Sequence, residues 1–295
     1  MSTFIPILFN MKKLLFLFSV LVISSCTKIE DLLIGGNTLP PDYTIENTTI
    51  ENYINKLYIS TIGREPTDTE FSTDFDILRS TNLSQSNREI VIDRLLNKAE
   101  YYNNLFKLES EHLLLGADTS DINQNIHVLN VLLSNSQGLD SIYLAENLAR
   151  MMKLQEVLPG LVNGTILNIE MHKRMVDNGF YDEINMGTEN FVVSMFQNFI
   201  NRYPTMSELQ SGKTMVDGGN ASIFLVSGNK KADFINIFLE SDEYFTGQTN
   251  ILFNRYLFRA PTSEESINFS LDYINTQDYQ LLQRRILSAN EFIGL

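Results

Sequence analysis

The amino-acid sequence predicts an all-α fold, in the form of one multi-helix body. Of the 295 residues, 43% are hydrophobic and 20% are charged, which is an ordinary globular balance with enough apolar material for a packed core. Strand signals are sparse, whereas apolar residues recur at helical spacing, as in Val192, Met195, Phe196, Phe199 and Ile200. We therefore expect three related helix–corner–helix units and a helical insert.

The units are identified by a corner motif of the form R-x-P-T-x-x-E, which occurs three times. An aromatic residue lies six positions before each arginine, an aliphatic residue lies two positions before it, and an acidic-aromatic pair follows the proline by 30 to 39 residues. The motif residues are Arg64, Pro66, Thr67 and Glu70, then Arg202, Pro204, Thr205 and Glu208, then Arg259, Pro261, Thr262 and Glu265. The acidic-aromatic pairs are Glu100-Tyr101, Glu243-Tyr244 and Glu291-Phe292.

The residue types of the motif predict a structural role. Proline has no N–H group and disfavours helical geometry in the preceding residue, so it ends the first helix. Thr-x-x-Glu is a capping box, in which Thr67 accepts from the amide of Glu70 while the glutamate accepts from the threonine amide. The arginine can bond the last carbonyls of the first helix or pair with the glutamate.

The motif divides the predicted α-helical domain, residues 48–295, into segments. The repeat units cover about 50–104, 188–246 and 247–295, and the helical insert covers 105–187 and is expected to pack against the outer units. Each unit is expected to close with a helix that ends in the acidic-aromatic pair, over 88–103, 230–245 and 278–293. The stretch 221–230 contains a Gly-Asn turn signal but lacks a convincing partner strand.

The N-terminal residues 1–25 predict a secretory signal peptide. Lys12 and Lys13 precede the short apolar run Leu14–Ile23, and we expect Met11 to be the true initiator. This run is too short to span a hydrocarbon core of about 30 Å.

The end of that run, Ile23-Ser24-Ser25-Cys26, resembles a bacterial lipobox, which implies lipidation of Cys26. A plain signal peptide with a chance cysteine is the alternative. Lipidation would attach the protein to a membrane through several acyl chains. The segment 26–47, with Gly35-Gly36 and Pro40-Pro41, is predicted to be a flexible tether. We expect a location in the cell envelope, at the outer membrane, facing either the periplasm or the cell surface.

Charge and cysteine content narrow the function classes. The net charge is −14, from 36 acidic and 22 basic residues, so binding to nucleic acid is not expected. A single cysteine excludes internal disulfides, attached c-type haem and four-cysteine zinc sites. His112, His127 and His172 form no close metal-binding pair, so neither a metal nor another cofactor is predicted.

Two of the units resemble known domains. The first, with Arg64-x-Pro66-Thr67 and Glu100-Tyr101, looks like one of the planctomycete-type cytochrome-associated domains of unknown function, and the last unit resembles its usual partner domain. A weaker likeness is to the helical repeat of phycobilisome linkers. The resemblance implies an exported helical envelope protein and supplies no catalytic residues, and this chain is shorter than the family pattern and has no haem motif.

Three functional hypotheses follow. The leading one is a non-catalytic envelope lipoprotein that binds another envelope protein or a surface polymer. The second is a periplasmic or surface enzyme or redox accessory that uses carboxylates, which gains support if Glu70, Glu208 or Glu265 lines a common pocket with a raised pKa and is dropped if all three cap helices at separate corners. The third is a surface glycan-binding lipoprotein, which requires exposed Tyr or Phe platforms.

Overall fold

A computed structural model describes residues 45–295 of the chain, and these residues form one compact unit. The predicted signal peptide, Met11, Cys26 and the predicted tether up to residue 44 lie outside the described residues. The described residues include Ile45, before the predicted domain start at residue 48, and the amide of Ile45 donates to Asn82 Oδ1 at 2.7 Å.

The described residues form an all-α body with one small β-hairpin, as the sequence predicts. The first unit and the insert contain the helices α1 Asn47–Ile62, α2 Asp68–Ser80, α3 Gln85–Leu96, α4 Ala99–Leu113, α5 Thr119–Ser134, α6 Leu139–Gln155, α7 Val157–Val162, α8 Asn168–Val176 and α9 Gly179–Ile184. The remaining elements are α10 Thr188–Ile200, α11 Met206–Val216, β1 Ala221–Ile223, β2 Val226–Gly228, α12 Lys231–Leu239, α13 Asp242–Leu257, α14 Ser263–Thr276, α15 Tyr279–Leu287 and α16 Asn290–Ile293.

The residue before each corner arginine ends the preceding helix in left-handed geometry. The three residues are Gly63, Asn201 and Phe258, with φ angles of 74°, 56° and 56°. Left-handed geometry reverses the chain direction and is tolerated best by glycine and next by asparagine. Phe258 is bulky, so its backbone is strained in this geometry, and its side chain is 83% exposed.

The predicted closing helices of the units are wrong at their C-terminal ends. The helices α3, α12 and α15 stop before the acidic-aromatic pairs, and each pair lies in the first turn of the next helix. This placement brings the acid of each pair to the positive end of a helix dipole, which favours it electrostatically. The pair therefore begins a helix rather than ending one.

Two further boundaries differ from the expectation. Helix α13 spans Asp242–Leu257 and crosses the predicted boundary at 246/247, so the second and third units share one helix. The stretch 221–230 also contains its own partner strand, because β1 and β2 pair antiparallel, with Ile223 opposite Val226. The turn residues Phe224 and Leu225 both have positive φ, as a tight two-residue hairpin turn requires.

The core joins the two ends of the domain. Helix α16 packs on α1, where the Phe292 ring meets Tyr53 edge to face at 6.0 Å, and the Tyr53 hydroxyl donates to the carbonyl of Leu287 at 3.1 Å. Arg284 pairs with Asp93 across the same interface at 2.9 Å. The first and third units are thus in direct contact, and the insert completes the body from the middle of the sequence.

Candidate functional site: the corners and the insert hairpin

Each corner is an arginine clamp that joins two helix N-termini. At the first corner, Thr67 and Glu70 form the predicted capping box. Arg64 Nη1 and Nη2 donate to the two carboxylate oxygens of Glu70 at 2.8 and 3.0 Å, and its Nε donates to Glu100 at 2.9 Å. The guanidinium also lies 5.9 Å from the ring centre of Tyr58. The motif therefore links the corner, the preceding helix and the acidic-aromatic pair.

The second and third corners repeat this geometry. Arg202 binds both oxygens of Glu208, at 2.9 and 2.7 Å, also contacts Glu243, and lies 4.8 Å from the Phe196 ring. The same is true of the third corner, where Arg259 contacts Glu265, Glu291 and Phe253. The arginine does not bond the last carbonyls of the first helix. It donates to the carbonyl of the residue that follows it.

The corner glutamates are ionised capping groups. Hydrogen bonds from Arg202 and Arg259 lower the pKa of Glu208 and of Glu265 to about 2, with the threonine amides contributing. Arg64 lowers the pKa of Glu70 well below its usual range in the same way. The three clamps share no residue, so the carboxylates neither line a common pocket nor have raised pKa values. The enzyme hypothesis loses the condition on which it depended.

A buried polar cluster lies where α4, α8 and α13 meet. His172 is 1% exposed, its Nδ1 lies 2.8 Å from the Tyr244 hydroxyl, and its Nε2 lies 3.4 Å from Glu109. Burial raises the pKa of Glu109, but His172 and Arg255 outweigh burial and hold the pKa at about 2. The cluster joins three helices through these polar contacts, and no group of side chains among residues 45–295 has the composition of a metal site.

The insert differs from the repeats because its two long helices form a hairpin with apolar side chains on the outside. On α5, Val128, Val131 and Leu132 are 46–49% exposed, and on α6 Leu139, Ile142 and Tyr143 are 56–84% exposed. Both sets follow i, i+3, i+4 spacing, which places each set on one side of its helix. We call these six residues the hairpin triads. The expectation that the insert packs against the outer units is therefore wrong for this end of the hairpin.

The base of the hairpin is fixed to the body. Asp118 and Asp121 form a further capping box within α5, whose Ile122 is buried, and the Gln155 side chain donates to Asn123 at 2.6 Å, which joins the two hairpin helices to each other. Arg150 on α6 pairs with Asp177 and Asp182, at 3.4 and 3.0 Å. Along the chain, the hairpin triads lie between Asn123, which contacts Gln155, and Arg150, which pairs with Asp177 and Asp182.

Two clefts run along α5 at this base. One, of about 950 Å³, is lined by Ile122, Leu154 and Pro159 among others, and the other, of about 670 Å³, is lined by Val128, Phe180 and Ile184. The second cleft also contains Asp121 and Glu183 and has no basic lining residue. Between Lys107 and Arg150 the chain has no lysine or arginine but six acidic residues. This lack of basic residues is the sequence signal that could have located the surface.

Two other expectations can be compared with the described residues. The most exposed aromatic side chains are Tyr143, Tyr203 and Phe258, and none of them stacks on another aromatic ring among residues 45–295. Within residues 45–295, no helix combines the length and apolar character needed to cross a membrane.

Comparison of the chain with protein-family models, with curated proteins and with solved structures gives no match. The likeness of the units to cytochrome-associated domains and to linker repeats stays a prediction.

Proposed function

We propose that this protein is a lipid-anchored envelope protein, attached through Cys26, that uses the insert hairpin to bind a partner protein. The partner would present an apolar surface bordered by basic groups. The observation that carries this proposal is the exposure of the six hairpin triad residues on the two helices of the insert hairpin.

Burial of the hairpin triads would supply the free energy of binding. Their exposed side chains would remove roughly 600 Å² of apolar surface from water, which approaches the roughly 800 Å² that each partner contributes to a stable interface. The two clefts beside α5 extend this surface, and the acidic side chains around it would attract a basic border on the partner and speed association. Asp140 is the one lysine, arginine, aspartate or glutamate in residues 122–145, so little charge would be desolvated at the centre.

Photo-crosslinking in native membranes tests this proposal. A photoreactive side chain at Leu139, which is 84% exposed, should give a discrete adduct, and one at Leu271, which is 51% exposed on α14, should not. The adduct should decrease with added salt, and it should disappear in the variant Leu132→Gln, Ile142→Gln but persist in the control Ile267→Gln. An adduct made of two copies of this chain, or equal adducts at both positions, would contradict the proposal.

The anchor is tested separately. The lipobox supports lipidation of Cys26, so mass spectrometry of the mature protein should find acyl chains on this residue, and Cys26→Ser should release the protein from membranes. An unmodified thiol in a protein that washes out of membranes would contradict the anchor without affecting the hairpin. The resemblance to cytochrome-associated domains, which implies an exported helical protein, agrees with this proposal and adds no ligand.

A further inference from the structure

The apex of the β-hairpin, formed by Leu225 and Val226, is an exposed apolar point on the body. Leu225 is 101% exposed and Val226 is 51% exposed. The other turn residue packs inward, because the Phe224 ring lies 5.9 Å from the Phe196 ring and 5.7 Å from the Phe238 ring. Core packing therefore explains the phenylalanine of the turn but not the leucine.

The backbone of the turn makes leucine an unfavourable residue at this position. Both turn residues have positive φ, with 49° at Phe224 and 66° at Leu225. Two-residue turns of this geometry favour asparagine, aspartate and glycine. Leu225 thus combines an unfavourable backbone conformation with an apolar side chain held in water. Such a combination points to a function of the side chain outside the fold.

The size of the apex suits a bilayer surface better than a second protein. Leu225 and Val226 expose roughly 250 Å² of apolar surface, whereas each partner of a stable protein interface contributes roughly 800 Å². A bilayer needs no matching shape, because apolar side chains can enter the boundary between headgroups and acyl chains one at a time. Behind the apex, the hydroxyls of Ser222 and Ser227 hydrogen-bond to each other at 2.7 Å, so the flanking surface is polar.

The charge of this segment differs from that of the whole chain. The chain has a net charge of −14, yet no aspartate or glutamate lies between Asp217 and Asp233, where the charged residues are Lys230 and Lys231. Lys231 contacts Asp182, whereas Lys230 is 67% exposed and lies 3.8 Å from Asp233. The apex can therefore approach anionic headgroups without repulsion from acidic residues of its own turn.

We propose that the β-hairpin apex inserts Leu225 into the headgroup region of the membrane to which the protein is anchored. This inference rests on the proposed attachment through Cys26, which would keep the body close to a bilayer. The chain from Cys26 to Ile45 can span at most roughly 65 Å, so its length does not prevent contact between the apex and the bilayer. Insertion at the apex would give the anchored body a fixed orientation.

Tryptophan fluorescence tests the insertion, because the chain has no tryptophan of its own. The protein is tethered to vesicles of phosphatidylethanolamine and phosphatidylglycerol through a maleimide lipid on Cys26, its only cysteine, so that the tether does not depend on natural lipidation. Lipids brominated about 5–10 Å below the surface should quench the reporter Val226→Trp. The matched control is Leu139→Trp on the insert hairpin, which replaces an 84% exposed leucine and should not be quenched.

A second substitution tests the role of Leu225. Leu225→Asn, added to the Val226→Trp reporter, should lower the equilibrium constant for insertion by roughly tenfold or more, because an apolar side chain is lost. Asparagine is favoured in the turn, so thermal unfolding should show an unchanged or higher melting temperature and exclude a loss of structure.

The proposal is overturned if the reporter at residue 226 is not quenched, if the control at residue 139 is quenched equally, or if Leu225→Asn leaves the quenching unchanged. Failure of the natural anchor gives a different result. In that case mass spectrometry would find no acyl chain on Cys26, while the tethered protein would still show quenching that depends on Leu225.

Discussion

Replacement of Arg202 by methionine tests the clamp at the second corner. The arginine makes two hydrogen bonds to Glu208, at 2.9 and 2.7 Å, one to the carbonyl of Tyr203 at 3.1 Å, and a further contact with Glu243. Methionine keeps most of the packing over the Phe196 ring but removes every one of these bonds.

The expected loss follows from the exposure of the pair. Hydrogen bonds to charged groups contribute about 1.5–3 kcal/mol when buried, whereas exposed ion pairs contribute at most about 1 kcal/mol. The side chain of Arg202 is 33% exposed and that of Glu208 is 18% exposed, so the clamp lies between these limits. We expect Arg202→Met to lower the free energy of unfolding by about 2–3 kcal/mol and the melting temperature by roughly 5–10 °C.

Urea and thermal unfolding, followed by circular dichroism, measure this loss. The matched control is Arg79→Met, because Arg79 lies over the Phe75 ring and forms no ion pair among residues 45–295. The control should change the free energy of unfolding by less than about 0.5 kcal/mol. If Arg202→Met unfolds within that same margin of the parent protein, the corner motif is not a stabilising clamp and the reasoning fails.

Three further predictions concern the stability of the helical body. Gly247→Ala should cost about 2–3 kcal/mol, measured by urea unfolding, because the added Cβ would lie 2.2 Å from the carbonyl oxygen of Phe199, where α13 crosses α10. Phe258→Gly should stabilise by about 0.5–1 kcal/mol, seen as a higher melting temperature, because it relieves left-handed geometry at an exposed side chain. Stability should fall as the pH drops from 4.5 to about 2, since the pKa of Glu208 is lowered in the folded state, and in Glu208→Gln this fall should be smaller across an acid unfolding series.

The corners could be predicted from the sequence because their determinants are local. A capping box needs a threonine and a glutamate three residues apart, and Thr205 with Glu208 form it as expected. Of the two carboxylate partners of Arg202, only Glu208 could be predicted. Glu208 is close in sequence, but Glu243 lies 41 positions away and could be placed only by the tertiary fold.

Other features depend on tertiary packing or are too short for a periodic signal. Strands of three residues, such as Val226–Gly228, have too few alternations to be recognised. The buried pair of His172 and Glu109 joins separate helices. The exposure of Leu132 and Leu139 could not be derived either, because apolar residues at helical spacing normally face a core, and only the fold of residues 45–295 shows that no helix in that range covers them.

The central claim is that the helical body is stable by itself and that the tip of the insert hairpin serves for binding. Shortening the hairpin tests this claim most directly. A variant in which residues 130–143 are replaced by a short Gly/Ser linker keeps Ile122, the Gln155–Asn123 bond and the Arg150 ion pairs. We predict that its free energy of unfolding, from urea titration, stays within about 1 kcal/mol of the parent value. A loss of more than about 3 kcal/mol would show that the tip of the hairpin is part of the structural core, and it would contradict a surface reserved for a partner.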